Sequence, residues 1–145
     1  MRFKNWRKPK FNKQGVTKWQ WMCQGLEGLV LGKNTDIGAF TYINAKYGVE
    51  IMEDVQIGSH CAIYSESTID NIKGKVKICR GARIGSHSTI MPNVTVGENA
   101  VIGAYSFVKK NVPSNSFSFG IPAKIVKQSK LKNDQENGSS FKTSH

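Results

Sequence analysis

Three histidines, His60, His87 and His145, are the side chains of this sequence best suited to move a proton near neutral pH. A positioned imidazole acting as general base is worth about 10²- to 10⁴-fold in rate. His145 is the last residue of the sequence and is set aside. Glu66 and Asp70 are carboxylates capable of the same work. Two usable histidines with no close pair fall short of a His₃ zinc site with an open fourth position, so no metal is expected. Cys23, Cys61 and Cys79 are odd in number and lack CxxC spacing, which fits reduced thiols in a cytoplasm. Cys61 reads as a small core residue rather than a nucleophile.

These side chains need elements to hold them, and the sequence is periodic. Leu31, Ile37, Ile43, Ile51, Ile57, Ile63, Ile69, Ile78, Ile84, Ile90, Val96, Ile102 and Val108 follow one another in steps of six. The exceptions are an eight-residue step after Ile43 and a nine-residue step after Ile69. A fixed short repeat of this kind specifies a solenoid. Gly follows the aliphatic residue at Gly32, Gly38, Gly58, Gly85, Gly97 and Gly103. A small or β-branched residue stands four places on, as at Thr41, Cys61, Ala82, Ser88 and Ser106. Such spacing predicts short strands whose branched residues point inward, with glycine relieving the backbone at each corner. A helix is excluded, because a period of six puts no continuous stripe on a 3.6-residue turn.

Taken at three steps to a coil, the number implied by the family resemblance given below, the eight-residue step places two extra residues around Lys46–Gly48, and the nine-residue step three around Asp70–Lys75. His60 and His87 each stand third after an aliphatic residue and are expected to point outward. Their separation of 27 residues, less the extra three, gives one coil plus one face. They are therefore expected on different faces, meeting only across a subunit interface.

The stretch Ile84–Gly97 (IGSHSTIMPNVTVG), the segment Ile102–Val108 (IGAYSFV) and the ending Gly120–Val126 (GIPAKIV) resemble the hexapeptide-repeat acyltransferases. The galactoside and maltose O-acetyltransferases and the sugar acetyltransferases of polysaccharide biosynthesis are the most similar. The likeness covers about residues 31–127. It implies an all-β fold, the left-handed parallel β-helix, usually trimeric, with acetyl-CoA along the groove between neighbouring subunits. It implies an acetyltransferase acting on a sugar hydroxyl or amine. By the same likeness, Gly85, Ser86, Gly103, Ala104 and Ser106 lie at the cofactor edge, with Lys109, Lys110, Lys124 and Lys127 near its phosphates. Phe40–Ala45 (FTYINA) resembles the acceptor-binding stretch, giving Asn44 and Tyr42 as substrate contacts beside Glu66 and Asp70. The catalytic histidine of the galactoside-type enzymes falls in the loop matching Asp70–Lys75, where this chain has none. His60 is therefore the favoured base, His87 the runner-up, and a surface histidine bonded to a neighbouring carbonyl the plain alternative.

The net charge of +11 sits at the ends. Residues 1–18 hold seven Lys/Arg and no acid, whereas residues 19–108 hold seven against eight Asp/Glu. Phe3, Trp6, Phe11, Trp19, Trp21 and Met22 interleave with the first of these runs. Residues 1–30 thus read as a basic, aromatic cap on the solenoid of residues 31–112, because a terminal coil has no neighbour to cover it. Residues 113–127 read as a closing strand or short helix and 128–145 as a mobile polar tail. Basic residues with aromatics also suit single-stranded nucleic acid. No RNA-binding signature accompanies them, and no nucleic-acid partner is expected. A nucleotide- or lipid-linked sugar, or a peripheral contact with an anionic membrane surface, would use the same charge. A non-catalytic trimeric scaffold and a γ-type carbonic anhydrase-like protein are the alternatives.

Overall fold

The computed structural model describes residues 3–128. His145 and most of the stretch read as a tail lie outside them. The chain winds into a three-faced parallel β-solenoid. One face stacks Met22–Gln24, Tyr42–Asn44, Ala62–Tyr64, Thr89–Ile90 and Phe107–Val108. The next stacks Leu29–Leu31, Val49–Ile51, Val76–Ile78 and Thr95–Val96. The third stacks Asp36–Ile37, Gln56–Ile57, Arg83–Ile84, Val101–Ile102 and Ser116–Gly120. They are called below the Ile43, Ile51 and Ile57 faces. The parallel ladder starts at Met22, where Cys23 pairs with Ile43, inside the stretch read from sequence as a lead-in.

Like stacks on like. Ile43, Ile63 and Ile90 are fully buried on one face, Ile51, Ile78 and Val96 on the next, and Ile57, Ile84 and Ile102 nearly so on the third. Each such side chain contributes roughly 1.5–3 kcal/mol through burial. The small corner residues Thr41, Cys61, Ala82, Ser88, Ala100 and Ser106 are buried beside them. Thr41 and Ser88 each donate a hydroxyl to the carbonyl of a glycine one coil on, Gly58 and Gly103. Short hydroxyls thus satisfy corner carbonyls that no strand partner reaches.

The two ends are closed differently. At the start, Trp21 is buried under Phe11, ring edge to ring face at 5.2 Å, and Asn12 Oδ1 accepts the amides of Gln14 and Val16. At the other end, Ser116–Gly120 turns back into the antiparallel strand Ala123–Gln128. The closing element is therefore a strand pair, not a helix. β-Branched Ile125 and Val126 favour extended backbone, and pairing supplies the hydrogen bonds. Inside this last coil Ser118 takes the place that Ile102 holds one coil earlier, and its buried hydroxyl has no partner. Ser118→Ala removes that uncompensated group and is expected to raise stability by roughly 1 kcal/mol, read as a higher denaturant midpoint at unchanged slope.

The longer excursion corrects the sequence count. Ile69 is not a coil position: it is 96 % exposed, in the turn joining Glu66–Ser67 to Ile72–Lys73 as an antiparallel hairpin. Successive coils on the Ile43 face advance 20, 20, 27 and 18 residues, through Cys23, Ile43, Ile63, Ile90 and Val108. The excursion thus adds nine residues to an 18-residue coil rather than three. All the insertions leave by one corner, between the Ile43 and Ile51 faces. Among the described residues no helix is long and apolar enough to cross a membrane.

Candidate functional site

The opposite corner, between the Ile57 and Ile43 faces, carries no insertion and puts the histidines together. Ile57 is in register with Ile84, so His60 and His87 occupy equivalent places one coil apart. Their rings stack at 4.7 Å with planes 2° apart. The expectation that they occupy different faces is overturned. It rested on three extra residues where the hairpin supplies nine, so 27 residues make one whole coil. Phe40 and Tyr105 extend the stack, at 5.2 Å from His60 and 4.6 Å from His87. Four rings thus line one edge of the prism. Phe40 and Tyr105 were not singled out from sequence, although each also stands third after its aliphatic residue.

The backbone explains the outward aim. Phe40, His60, His87 and Tyr105 have φ of 66°, 59°, 61° and 61°, the left-handed conformation that turns the chain through each corner. Side chains at such a position project away from the coil, and successive coils lie about 4.8 Å apart, which sets the ring spacing. His60 Nδ1 is 3.1 Å from Ser59 Oγ. When Nδ1–H donates to that hydroxyl, the tautomer leaves Nε2 as a lone-pair acceptor, the form a general base requires.

Beside the stack, on the Ile57 face, runs a groove of about 420 Å³. Gly85, Gly103 and Ala104 line it, together with Gly58, Arg83 and Gln56. Arg83 and Gln56 are the residues just before Ile84 and Ile57, which face outward on this sheet and were also missed from sequence. Ser86 is half-buried at the same corner. Ser106 is placed differently: it is buried, donates its hydroxyl to Gly103 O at 2.6 Å and accepts the Gly120 amide. Its side chain is committed to coil stacking. The glycines, too, have a structural reason. A Cβ on Gly85 would stand 2.5 Å from Ala104 N, and on Gly58 2.6 Å from Ser86 N.

The remaining candidates gather at the other edge of the Ile43 face. Asn44 Oδ1 accepts from the Lys46 amide and from Ser65 Oγ, both at 3.1 Å. The Tyr42 hydroxyl hydrogen-bonds Gln24 Oε1 at 2.7 Å, and its ring lies 5.8 Å from that of Tyr64. On the hairpin, Glu66 lies 3.8 Å from Lys46 Nζ, and Asp70 accepts from Ser67 Oγ at 2.5 Å. Lys46 and Lys73 flank the ring of Tyr47, at 5.5 and 5.1 Å. Lys109 is exposed just after the last strand of this face, and Lys124 on the closing strand. Apart from Lys124, which lies on the closing strand of the Ile57-face sheet, the sequence candidates thus form two clusters, separated within one chain by the width of the Ile43 face.

Burial holds the thiols in the protonated form. Burial pushes Cys23 up to about 12, with the charge of Glu27 adding to it. Burial also raises Cys61, whose Sγ–H donates to Gly85 O at 3.2 Å, and Cys79. Among the described residues no group of three or more His, Cys, Asp or Glu could hold a metal ion.

The repeat matches the family model "Bacterial transferase hexapeptide (six repeats)" over residues 75–110. The galactoside O-acetyltransferase of Escherichia coli is 31 % identical over 115 residues, 67 % of this chain and 55 % of that protein. A serine acetyltransferase of Synechococcus elongatus is 28 % identical over 114 residues, 75 % of this chain and 47 % of that one. A solved serine acetyltransferase in complex with CoA superposes with a TM-score of 0.58 at 25 % identity, over 68 % of this chain and 39 % of its own. This chain spans about half the length of the curated relatives just named. By its repeat, its coil architecture and these similarities, the chain belongs to the hexapeptide-repeat transferase family.

Proposed function

We propose that this protein transfers an acetyl group from acetyl-CoA to a hydroxyl or amino group of a sugar, with a nucleotide- or lipid-linked sugar as acceptor. The observation that carries the reading is the groove of the Ile57 face, whose glycines Gly58 and Gly85 stand two residues before His60 and His87. Three coils of it, from Gly58 to Gly103, span roughly 10 Å at about 4.8 Å per coil. Its glycine corners present backbone rather than side chains, and the Arg83 guanidinium offers a phosphate partner. These features suit a long, thin, phosphorylated donor.

Acetyl-CoA supplies an acyl carbon activated as a thioester. His60 Nε2 takes the proton of the acceptor hydroxyl or amine as its oxygen or nitrogen bonds to that carbon. As the carbon–sulfur bond breaks, the imidazolium returns the proton to the departing thiolate. The tautomer that does this is the one in which Nδ1–H donates to Ser59 Oγ, leaving Nε2 as the acceptor. His87, stacked beneath, fixes the plane of His60. An amine acceptor would demand less of the base than a hydroxyl.

The two clusters bear on assembly. If Glu66, Asp70 and Asn44 contact the acceptor while His60 takes its proton, the hairpin of a second copy must reach the histidine corner of the first. A homotrimer provides three such junctions with closed symmetry.

Titration with acetyl-CoA during thermal unfolding tests the reading. At 100 times the dissociation constant, a ligand bound only by the folded state adds about 2.7 kcal/mol. A scaffold without CoA affinity would give no shift, and that result sinks the proposal.

A further inference from the structure

The N-terminal cap does more than cover the first coil. Its turns enclose a cavity of about 240 Å³, walled by the indoles of Trp6, Trp19 and Trp21 with Arg7 and Lys18 at its margin. Two indoles are fixed: Trp21 is buried, and Trp6 Nε1 donates to Thr35 O at 2.9 Å. Trp19 instead remains 45 % exposed, with Lys18 Nζ 4.7 Å from its ring centre. A cap serving only to shield the core has no use for an exposed indole topped by a cation.

The chemistry of the lining selects a ligand. The cavity lies below the roughly 300–1,000 Å³ of sites that enclose a whole small ligand, so it has room for one ring system. Flat aromatic faces stack on nucleobases, an interaction worth about 1–3 kcal/mol per base. Cations beside them suit phosphate. The surrounding residues 1–18 add positive charge and no acid. Asp36 also stands in the lining.

Position selects what the base is attached to. Asp36 lines both this cavity and the groove of the Ile57 face, so the two meet there. The Asp36 strand lies two coils before that of Arg83, about 10 Å along the axis. Phe40, four residues after Asp36, touches the ring of His60. A molecule anchored by its base in the cavity can therefore lay its far end at the histidine corner. The C-terminal coils remain open to the donor.

We propose that this cavity binds the base of a nucleotide-linked sugar, with Arg7 and Lys18 on its diphosphate. The acyl-transfer reading is needed only for what becomes of the sugar. The test is calorimetric titration of the full chain with UDP and dTDP in the absence of acetyl-CoA, with ADP as the CoA-like control and inorganic pyrophosphate for the phosphates alone. UDP or dTDP is expected to bind, pyrophosphate at least tenfold more weakly. Trp19→Ala and the double variant Arg7→Ala/Lys18→Ala, all at exposed positions, are each expected to weaken nucleotide binding at least tenfold. Their melting temperatures and their stabilisation by acetyl-CoA should stay at the wild-type values. Absence of nucleotide binding by the wild type, or binding undiminished in both variants, overturns the proposal. So does ADP as the preferred nucleotide together with acetyl-CoA binding lost in Trp19→Ala, since the cavity would then serve the donor. Nucleotide binding without any effect of acetyl-CoA would uphold the cavity and remove the acyl-transfer reading instead.

Discussion

His60→Asn is expected to lower the rate of acetyl transfer by about 10²- to 10⁴-fold, the range a positioned general base contributes. Asparagine is the informative replacement because position 60 has φ 59°. Alanine tolerates that region less well than asparagine, which visits it readily. A fall in rate can then be assigned to the lost imidazole rather than to a loosened corner. The loss should appear in kcat, with KM for acetyl-CoA little changed, because the proton moves only in the transition state. His87→Asn removes a ring that supports His60 at 4.7 Å but has no serine bond of its own to orient it in this scheme. Its effect is expected to be smaller, about tenfold. Free-thiol release against a panel of sugars reads both. Full activity in His60→Asn would remove it as the base, and a larger loss in His87→Asn would exchange the two roles.

The contrast between the two histidines shows where sequence reasoning succeeded and where it stopped. The periodic aliphatic residues define the coil because each must fill the same narrow interior, and that demand repeats without reference to anything distant. Cys61 and Ser88 were legible as inward corner residues for the same reason. Ile69 was misread because it keeps the six-residue spacing from Ile63 while standing in a hairpin turn; periodicity cannot tell a buried isoleucine from an exposed one. That single slip moved every later residue by one face in the count. It hid the His60–His87 stack, which depends on register across a full coil. Arg83 and Gln56 were overlooked because outward positions obey no packing rule. The Trp6–Trp19–Trp21 cavity was out of reach for another reason. An aromatic, basic segment announces packing, but only the path of residues 3–9 against the Thr17–Gln20 turn and the Asp36 strand decides that the packing leaves a hole.

Glycine was legible as a corner residue but for the wrong cause, and this leads to the largest expected effect on stability. The glycine after each aliphatic residue does not take the left-handed turn: Gly38, Gly58, Gly85 and Gly103 are absent from the positive-φ positions, which fall two residues later at Phe40, His60, His87 and Tyr105. What Gly38 provides is room. A Cβ there would lie 2.4 Å from Ser59 N and 2.7 Å from Ser59 Cα, both backbone atoms of the next coil. No side chain can swing aside, and the neighbouring ladder holds the spacing through Gly38 N to Ile57 O at 2.9 Å. Relief requires the coils to part, which breaks that ladder and the ring contact of Phe40 with His60. Gly38→Ala is therefore expected to cost about 3 kcal/mol or more, at the upper end of overpacking penalties. The complementary change separates the two demands. Asp54 has φ 61° and an exposed side chain, so Asp54→Gly meets no steric conflict and relaxes a strained backbone. It is expected to alter stability by less than about 1 kcal/mol. Urea unfolding of both variants decides the matter. A Gly38→Ala protein as stable as the wild type would show that the coils have slack, and a severely destabilised Asp54→Gly protein would place the constraint at the turn rather than at the contact between coils.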